Sequence, residues 1–213
     1  MDSKPKLVYF KAYGRGEPTR LLLSHLKIDY EEEHVDFPPT AEQKAKSAFG
    51  SFPYLMIDGK QIGQSRCIVR YLAAKAGLYP TEPYDIWRME SLVDHFADLE
   101  MGFYKVVFTQ DKEEQAKEAE KFGKGILTTT LQILENRLKE NSSQEYLVND
   151  KLTPADVVFN NFIWSMALNP ANPNKEKVEE FKALLAQFPT AEAYFNKRKA
   201  DFPRLETRDP SPM

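Results

Sequence analysis

The sequence predicts two unlike units, a small α/β unit of order βαβαββα followed by an all-helical one. Three observations carry this. Short strand-like and helix-like segments alternate over residues 1–78. The segment 79–84 holds Pro80 and Pro83 and suits a linker. From residue 85 to residue 213 the apolar side chains recur at helical spacing. With 42% hydrophobic residues among 213, the chain can bury sizeable cores without disulfide or metal staples.

Taken in order, Lys6 to Phe10 is rich in β-branched and aromatic residues and reads as the first strand. Glu17 to Leu26 reads as a helix, with Glu17 and Pro18 at its start, where the helix dipole and a fixed φ favour them. Tyr30 to Val35 is a second strand, weakened by its glutamates. The run Phe37-Pro38-Pro39-Thr40 breaks the pattern and leads into a polar stretch, helical or irregular. Pro53 to Ile57 is the third strand, Asp58-Gly59 a tight turn, and Lys60 to Gly63 the returning strand. Ser65 to Ala76 carries Ile68, Val69 and Leu72 on one side and stops at Gly77.

Beyond the linker, Met89, Leu92, Val93, Phe96, Leu99, Phe103 and Val107 mark a long amphipathic helix. Phe122, Ile126, Leu131, Leu134 and Leu138 mark a second, highly charged one. At Leu152-Thr153-Pro154-Ala155-Asp156 a helix begins. Pro154 suits its first position, Thr153 and Asp156 form a capping box, and Leu152 and Val157 are spaced as a hydrophobic staple. The helix that follows has few polar residues and is expected to be buried. Helices from Lys175 to Phe188 and from Ala191 to Ala200, split by Pro189, complete the chain.

Composition excludes several functions. A net charge of −3 lacks the basic excess of a nucleic-acid binder. No apolar run is long enough for a membrane span, and Met1 to Lys6 is too polar for a signal peptide. His25, His34 and His95 stand apart, with no Cys/His cluster, so no metal is expected. The single cysteine, Cys67, cannot form an intrachain disulfide, which fits a reducing, cytoplasmic setting.

Four separated motifs resemble the cytosolic glutathione S-transferases. Leu7-Val8-Tyr9-Phe10 followed by Gly14-Arg15-Gly16-Glu17-Pro18-Thr19-Arg20 is similar to the start of the sigma class, with mu and alpha/pi relatives close. Phe49-Gly50-Ser51-Phe52-Pro53-Tyr54-Leu55 with Asp58-Gly59, then Gln64-Ser65 with Ile68-Val69-Arg70-Tyr71-Leu72, resemble the family's next two segments. Thr153-Pro154-Ala155-Asp156 resembles the capping box of its helical domain. The resemblance implies a thioredoxin-like N-terminal domain and an all-helical C-terminal domain that supplies the electrophile site. It also implies a homodimer that binds glutathione as co-substrate and conjugates it to hydrophobic electrophiles. Isomerisation of prostaglandin endoperoxides, reduction of organic peroxides and a non-catalytic structural or ligand-binding role are the alternatives on the same fold.

Residue by residue, the resemblance implies that Tyr9 donates a hydrogen bond to the glutathione thiolate and that Arg15 reinforces it electrostatically. Arg20, one helical turn further on in the helix that follows Arg15, reads as structural. Gln64 and Ser65 would take the γ-glutamyl carboxylate, at a helix N-terminus that favours anions. Phe52, before a cis Pro53, would pair its backbone with the cysteinyl unit like an added strand. Lys44 would take the glycyl carboxylate. The sigma pattern has a tryptophan where this chain has Thr40, so Phe37 and Lys46 are alternatives there. Asp98, with Asp94 one turn away, would reach across the dimer to the γ-glutamyl ammonium, and Ala97 stands where some relatives place a metal-binding aspartate. Phe10, Tyr13, Tyr104, Val158, Phe162 and Phe202 are candidates for the electrophile site, and Phe49 for an interface. The basic run Lys197-Arg198-Lys199 reads as a solvated helix end.

Overall fold

The computed structural model describes residues 4–172 and 174–207. Four strands, β1 (Lys6–Phe10), β2 (Glu31–Val35), β3 (Tyr54–Ile57) and β4 (Lys60–Gly63), form one mixed sheet in the order β2-β1-β3-β4. β1 and β2 run parallel, so a crossover must join them, and α1 (Glu17–His25) supplies it. β3 lies antiparallel to β1, and β4 antiparallel to β3. Asp58 and Gly59 turn that hairpin at φ 51° and 70°, the left-handed pair a tight turn needs. A short α2 (Ala41–Ala45) is opened by Thr40 and Gln43, whose side chains each bond the other's backbone N–H. α3 (Ser65–Lys75) follows β4.

Leu7, Val8 and Tyr9 are all buried, without the alternation of a half-exposed strand, because β1 is covered on both faces. Leu7 packs with Leu21, Leu22 and Leu23 of α1 and Ile68, Val69 and Leu72 of α3. Val8 packs with Val35 and Tyr54 on the other side.

α4 (Pro83–Phe108) begins inside the segment expected to be a linker, because Pro83 is itself the first helical residue. The expected second helix is broken. α5 (Lys112–Phe122) and α6 (Thr128–Glu140) are joined by a π-helical segment, Gly123–Leu127, in which Gly125 leaves helical geometry at φ −98° and ψ −108°. α7 (Pro154–Asn161) runs into a second π-helical segment, Phe162–Ala167. α8 (Lys175–Leu185), α9 (Pro189–Arg198) and α10 (Arg204–Thr207) follow. Pro189 opens α9, two residues earlier than the expected start, since proline is well suited to a first helical position.

Asp156 is the hub of the α7 start. The N–H and hydroxyl of Thr153 each donate to its carboxylate at 2.7 Å. Its other oxygen accepts from the Leu147 N–H at 3.0 Å and the Tyr194 hydroxyl at 2.6 Å. The core of the helical part joins α4, α6, α7 and α9 around Phe96, Phe159, Phe162 and Phe195. Leu152, Val157 and Phe202 leave that core and pack instead with Leu7, Leu55 and Ile68 of the sheet side. Of the basic run, Lys197 is exposed as expected, whereas Arg198 is buried and Lys199 half-buried. Lys197 and Arg198 both bond Glu145, Arg198 also meets Asp201 at 3.1 Å, and the Lys199 ammonium lies 5.0 Å from the centre of the Trp164 ring.

Candidate functional site

Sheet register brings three of the sequence motifs to one edge. Val8 pairs with Tyr54, and Tyr54 with Gly63. One residue beyond these pairings stand Tyr9 on β1, Pro53 before β3, and Gln64 after β4. The loop carrying Arg15 leaves β1 at this edge, and α3 starts there.

Tyr9 is 7% exposed, and its hydroxyl oxygen accepts a hydrogen bond from the backbone N–H of Arg15 at 2.9 Å. The glycines around Arg15 make this possible. A Cβ on Gly14 would lie 2.6 Å from the Tyr9 hydroxyl, and one on Gly16 would lie 2.4 Å from its ring. Either contact is shorter than van der Waals packing allows, so only glycine lets the loop close over the phenol. Arg20 holds the loop from below. It donates to the carbonyls of Ala12 and Phe10, pairs with Glu17 and Glu32, and places its guanidinium 5.7 Å from the centre of the Tyr9 ring. Burial raises the Tyr9 pKa above the ordinary phenol value, and the Arg15 N–H opposes that. The phenol is therefore protonated at neutral pH. With one lone pair taken by an amide, its proton is available to a further acceptor.

The Arg15 side chain leads to a residue that the sequence reading did not single out. Its Nε donates to Glu100 on α4 at 3.0 Å, and Arg66 of α3 donates to the same carboxylate oxygen at 3.2 Å. Glu100 is 3% exposed. Burial pushes its pKa up, while the two arginines pull it down. The Arg15 guanidinium also sits 5.1 Å from the centre of the Tyr104 ring, and burial holds that phenol far above its ordinary pKa. A sequence signal for Glu100 existed. It lies four residues after Phe96, a carboxylate on the apolar stripe of α4.

Gln64 precedes α3 with φ 65° and ψ 110°, a strained backbone for a residue with a Cβ, and its side chain makes no capping bond to the helix. Ser65 is the first residue of α3, where backbone N–H groups lack intrahelical acceptors. The Phe52–Pro53 peptide is cis, as the resemblance implied. The Phe52 ring packs beside Phe10 and Tyr54, each with centroids 5.8 Å away, and Phe37 packs on Phe10 at 5.3 Å. Lys44 is exposed on α2 and forms no ion pair among the described residues, whereas Lys46 pairs with Glu42 at 3.2 Å. Asp98 is exposed on α4, and its neighbour Asp94 accepts from Arg70 at 3.2 Å.

Tyr9 and Arg15 are thus in direct contact, with Phe52, Pro53, Gln64 and Ser65 along the same edge. Lys44 and Asp98 are not brought into contact with them. Of the electrophile-site candidates, Tyr13, Val158, Phe162 and Phe202 are buried, and Phe162 also lines a cavity of the helical part. Tyr104 faces Arg15 and packs against Phe108 in a tilted pair with centroids 5.8 Å apart, and Phe10 belongs to the aromatic group around Phe52. A cavity of about 640 Å³ among Phe103, Phe122, Met166 and Phe181 is lined by neither Tyr9, Arg15, Gln64 nor Ser65. Among the described residues no group of three or more His, Cys, Asp or Glu is placed to hold a metal ion, and no helix is long and apolar enough to cross a membrane.

Comparison with known proteins places these features. A family model for the glutathione S-transferase N-terminal domain matches residues 5–74, and one for the C-terminal domain matches residues 97–198. Glutathione S-transferase 4 of Caenorhabditis elegans is 32% identical over 200 residues, covering 91% of this chain and 96% of the relative. Glutathione S-transferase alpha-4 of Rattus norvegicus is 34% identical over 162 residues, 74% of this chain and 71% of the relative. Among solved structures, monomeric Na-GST-3 of Necator americanus aligns with a TM-score of 0.77 at 26% identity, covering 99% of this chain and 100% of the other. Prostaglandin synthase D of Nilaparvata lugens aligns at 0.68 with 29% identity, covering 92% and 98%.

Proposed function

Because the chain belongs to the glutathione S-transferase family and is an enzyme of that kind, we propose that Tyr9 and Arg15 carry its catalysis by stabilising the thiolate of bound glutathione. A thiol with pKa near 8.5 is only about 3% ionised at pH 7, and the thiolate is the nucleophile. Lowering that pKa by about 2 units makes roughly three quarters of it thiolate. A hydrogen bond from a neutral donor to a charged acceptor contributes about 1.5–3 kcal/mol, the right size for much of the change. The observation that carries the reading is the Arg15 N–H on the Tyr9 oxygen, which aims the phenol and leaves its proton for the sulfur. No enzyme-linked intermediate is needed. Glutathione attacks the electrophile directly, and the protein contributes orientation and charge.

In this reading Gln64 and Ser65 bind the γ-glutamyl carboxylate at the start of α3, and the Phe52 backbone before Pro53 pairs with the cysteinyl unit. Lys44, exposed and without an ion-pair partner among the described residues, takes the glycyl carboxylate. The electrophile lies over Tyr104, Phe108 and Phe10, apolar surface that suits hydrophobic, detoxification-type substrates. Residues 1–78 and 85–213 act as glutathione-binding and electrophile-binding domains across the 79–84 segment, in a sigma-like, cytoplasmic enzyme. Asp98 acts across a homodimer, for which the 62% exposed Phe49 is the interface aromatic. Na-GST-3 is described as monomeric, so sedimentation of this protein decides the point. A monomer removes Asp98 from the site. The likeness to prostaglandin synthase D favours one second activity, isomerisation of a prostaglandin endoperoxide by the same thiolate. Turnover of an aromatic halide and of the endoperoxide, each with Tyr9→Phe as control, tests both. Glutathione binding without either turnover sinks the catalytic assignment of Tyr9.

A further inference from the structure

Glu100 carries a buried carboxylate to which the reading above gives no role. Its Oε2 receives Arg15 Nε at 3.0 Å and Arg66 Nη1 at 3.2 Å. Arg15 is also the residue whose backbone N–H aims Tyr9, and Arg66 follows Ser65 at the start of α3. One oxygen on α4 therefore ties together the loop that holds the phenol and the helix start assigned to the carboxylate.

We propose that Glu100 is a positioning residue for the transferase reaction, holding Arg15 beside the thiol and setting how much of that arginine's charge the sulfur experiences. The inference rests on the assignment of Tyr9 and Arg15 as the thiolate-stabilising pair. Two effects of opposite sign follow. As an anchor, Glu100 keeps a cation near the sulfur, which favours thiolate. As an anion, it offsets part of that cation's field, which disfavours it. The groups facing Glu100 are Arg15 from the loop after β1, Arg66 from α3, Tyr9 from β1 and Tyr104 from its own helix. Both phenols are held neutral by burial, so only the arginines answer its charge across the working range.

The two effects separate by substitution. Glu100→Gln keeps an oxygen that accepts from both guanidinium groups and removes the negative charge. Glu100→Ala removes the anchor as well. Two cations that converged on one oxygen then repel, and Arg15, with its side chain already 42% exposed, turns to solvent.

The test is the thiolate absorbance of glutathione bound to the full-length protein, titrated between about pH 5 and 9, with kcat and KM measured alongside. In Glu100→Gln the ionisation midpoint is expected to fall by about half a pH unit or more. In Glu100→Ala it is expected to rise by about one unit toward that of free glutathione, with kcat near pH 6.5 down about 5–10-fold. Arg66→Gln, which leaves Glu100 answered by Arg15 alone, is expected to raise the midpoint and keeps the test available should Glu100→Ala fold poorly. Midpoints that move together in Glu100→Gln and Glu100→Ala, or a Glu100→Gln midpoint at the wild-type value, overturn the proposal. Tyr9→Phe in the same titration separates the readings. If it moves the midpoint while the Glu100 variants do not, this inference alone fails. If it leaves the midpoint unmoved, the phenol assignment fails.

Discussion

The surroundings of Tyr9 fix what its oxygen can do. The Arg15 N–H occupies one side of the hydroxyl, Gly14 and Gly16 let the loop approach, and Arg20 closes the ring from another side. Tyr9→Phe is expected to lower conjugation turnover by roughly 10–150-fold, the equivalent of one hydrogen bond to a charged group, with an unchanged circular dichroism spectrum. Gly16→Ala is a harsher test, because its new methyl meets the phenol ring at 2.4 Å. Turnover is expected to fall at least as far as in Tyr9→Phe, with a stability loss of about 1–3 kcal/mol by overpacking. Wild-type turnover in Gly16→Ala would mean that the ring position does not matter. Glu100 makes a prediction about stability and pH. Its folded pKa is raised, so between the ordinary glutamate value of 4.5 and that raised value the folded state holds more protons than the unfolded one. Its contribution is then fully present below 4.5 and declines as pH climbs through the window. Melting temperatures of wild type and Glu100→Gln measured from acid to neutral pH are expected to show the wild-type advantage shrinking as pH rises. A constant difference contradicts the buried-carboxylate account. At this scale the sequence was legible where a motif is contiguous. Tyr9 with Gly14-Arg15-Gly16, Phe52-Pro53 and Gln64-Ser65 are each readable as local strings. The Arg15–Glu100 pair spans 85 residues, and no local string encodes it. Lys44 and Asp98 are exposed, with no contact to the other candidates among the described residues, so the roles proposed for them would need bound ligand or a second chain.

At the level of elements, strand and helix types follow from residue chemistry that can be read directly. Asp58-Gly59 takes the turn, and Thr40 with Gln43, and Thr153 with Asp156, cap their helices. Boundaries moved where proline sits inside a helix start, at Pro83 and Pro189, since the same residue that interrupts one helix can open the next. The π-helical segments at Gly123–Leu127 and Phe162–Ala167 were not legible. An apolar stripe reports which face is buried, and one extra residue per turn barely alters it over so short a run. Gly123 and Gly125 were the available hint of the first. The element with most at stake is the start of α7. Asp156 accepts from two N–H groups and two hydroxyls, all in a buried setting. Asp156→Ala strands those donors and is expected to cost about 3–5 kcal/mol, read as a drop in the chemical-unfolding midpoint. A loss below about 1 kcal/mol would show that solvent reaches the cap.

Over the whole molecule, the two halves differ in texture but share a core. Leu152, Val157 and Phe202 come from the helical part, yet they pack with Leu7, Leu55, Ile68 and Leu72 around the sheet. The chain's last described segment reinforces this seam. Arg204 bonds the buried Glu17 at 3.1 Å, and the His25 ring meets the Asp201 carbonyl at 2.8 Å, contacts that join α1 to residues nearly two hundred positions away. Glu100 adds a third tie, from α4 to both Arg15 and Arg66. Sequence spacing distinguishes the halves by pattern, but it could not reveal that the staple residues at the start of α7 serve the opposite core. A core stocked from both sides cannot melt by halves without exposing large apolar side chains, so unfolding is expected to be a single transition. Trp87 and Trp164 both lie in the helical part and report on it by fluorescence, while hydrogen exchange at Leu7, Val8 and Leu55 reports on the sheet. The two probes are expected to give the same free energy of opening in wild type. Phe202→Ala, which empties a fully buried site at the seam, is expected to lower both together by about 3–5 kcal/mol. Sheet amides that exchange earlier than the tryptophans report, or a Phe202→Ala effect confined to one half, would mean that the halves fold as independent bodies. The contacts among Arg15, Glu100 and Arg66 would then be a consequence of docking rather than part of a single core.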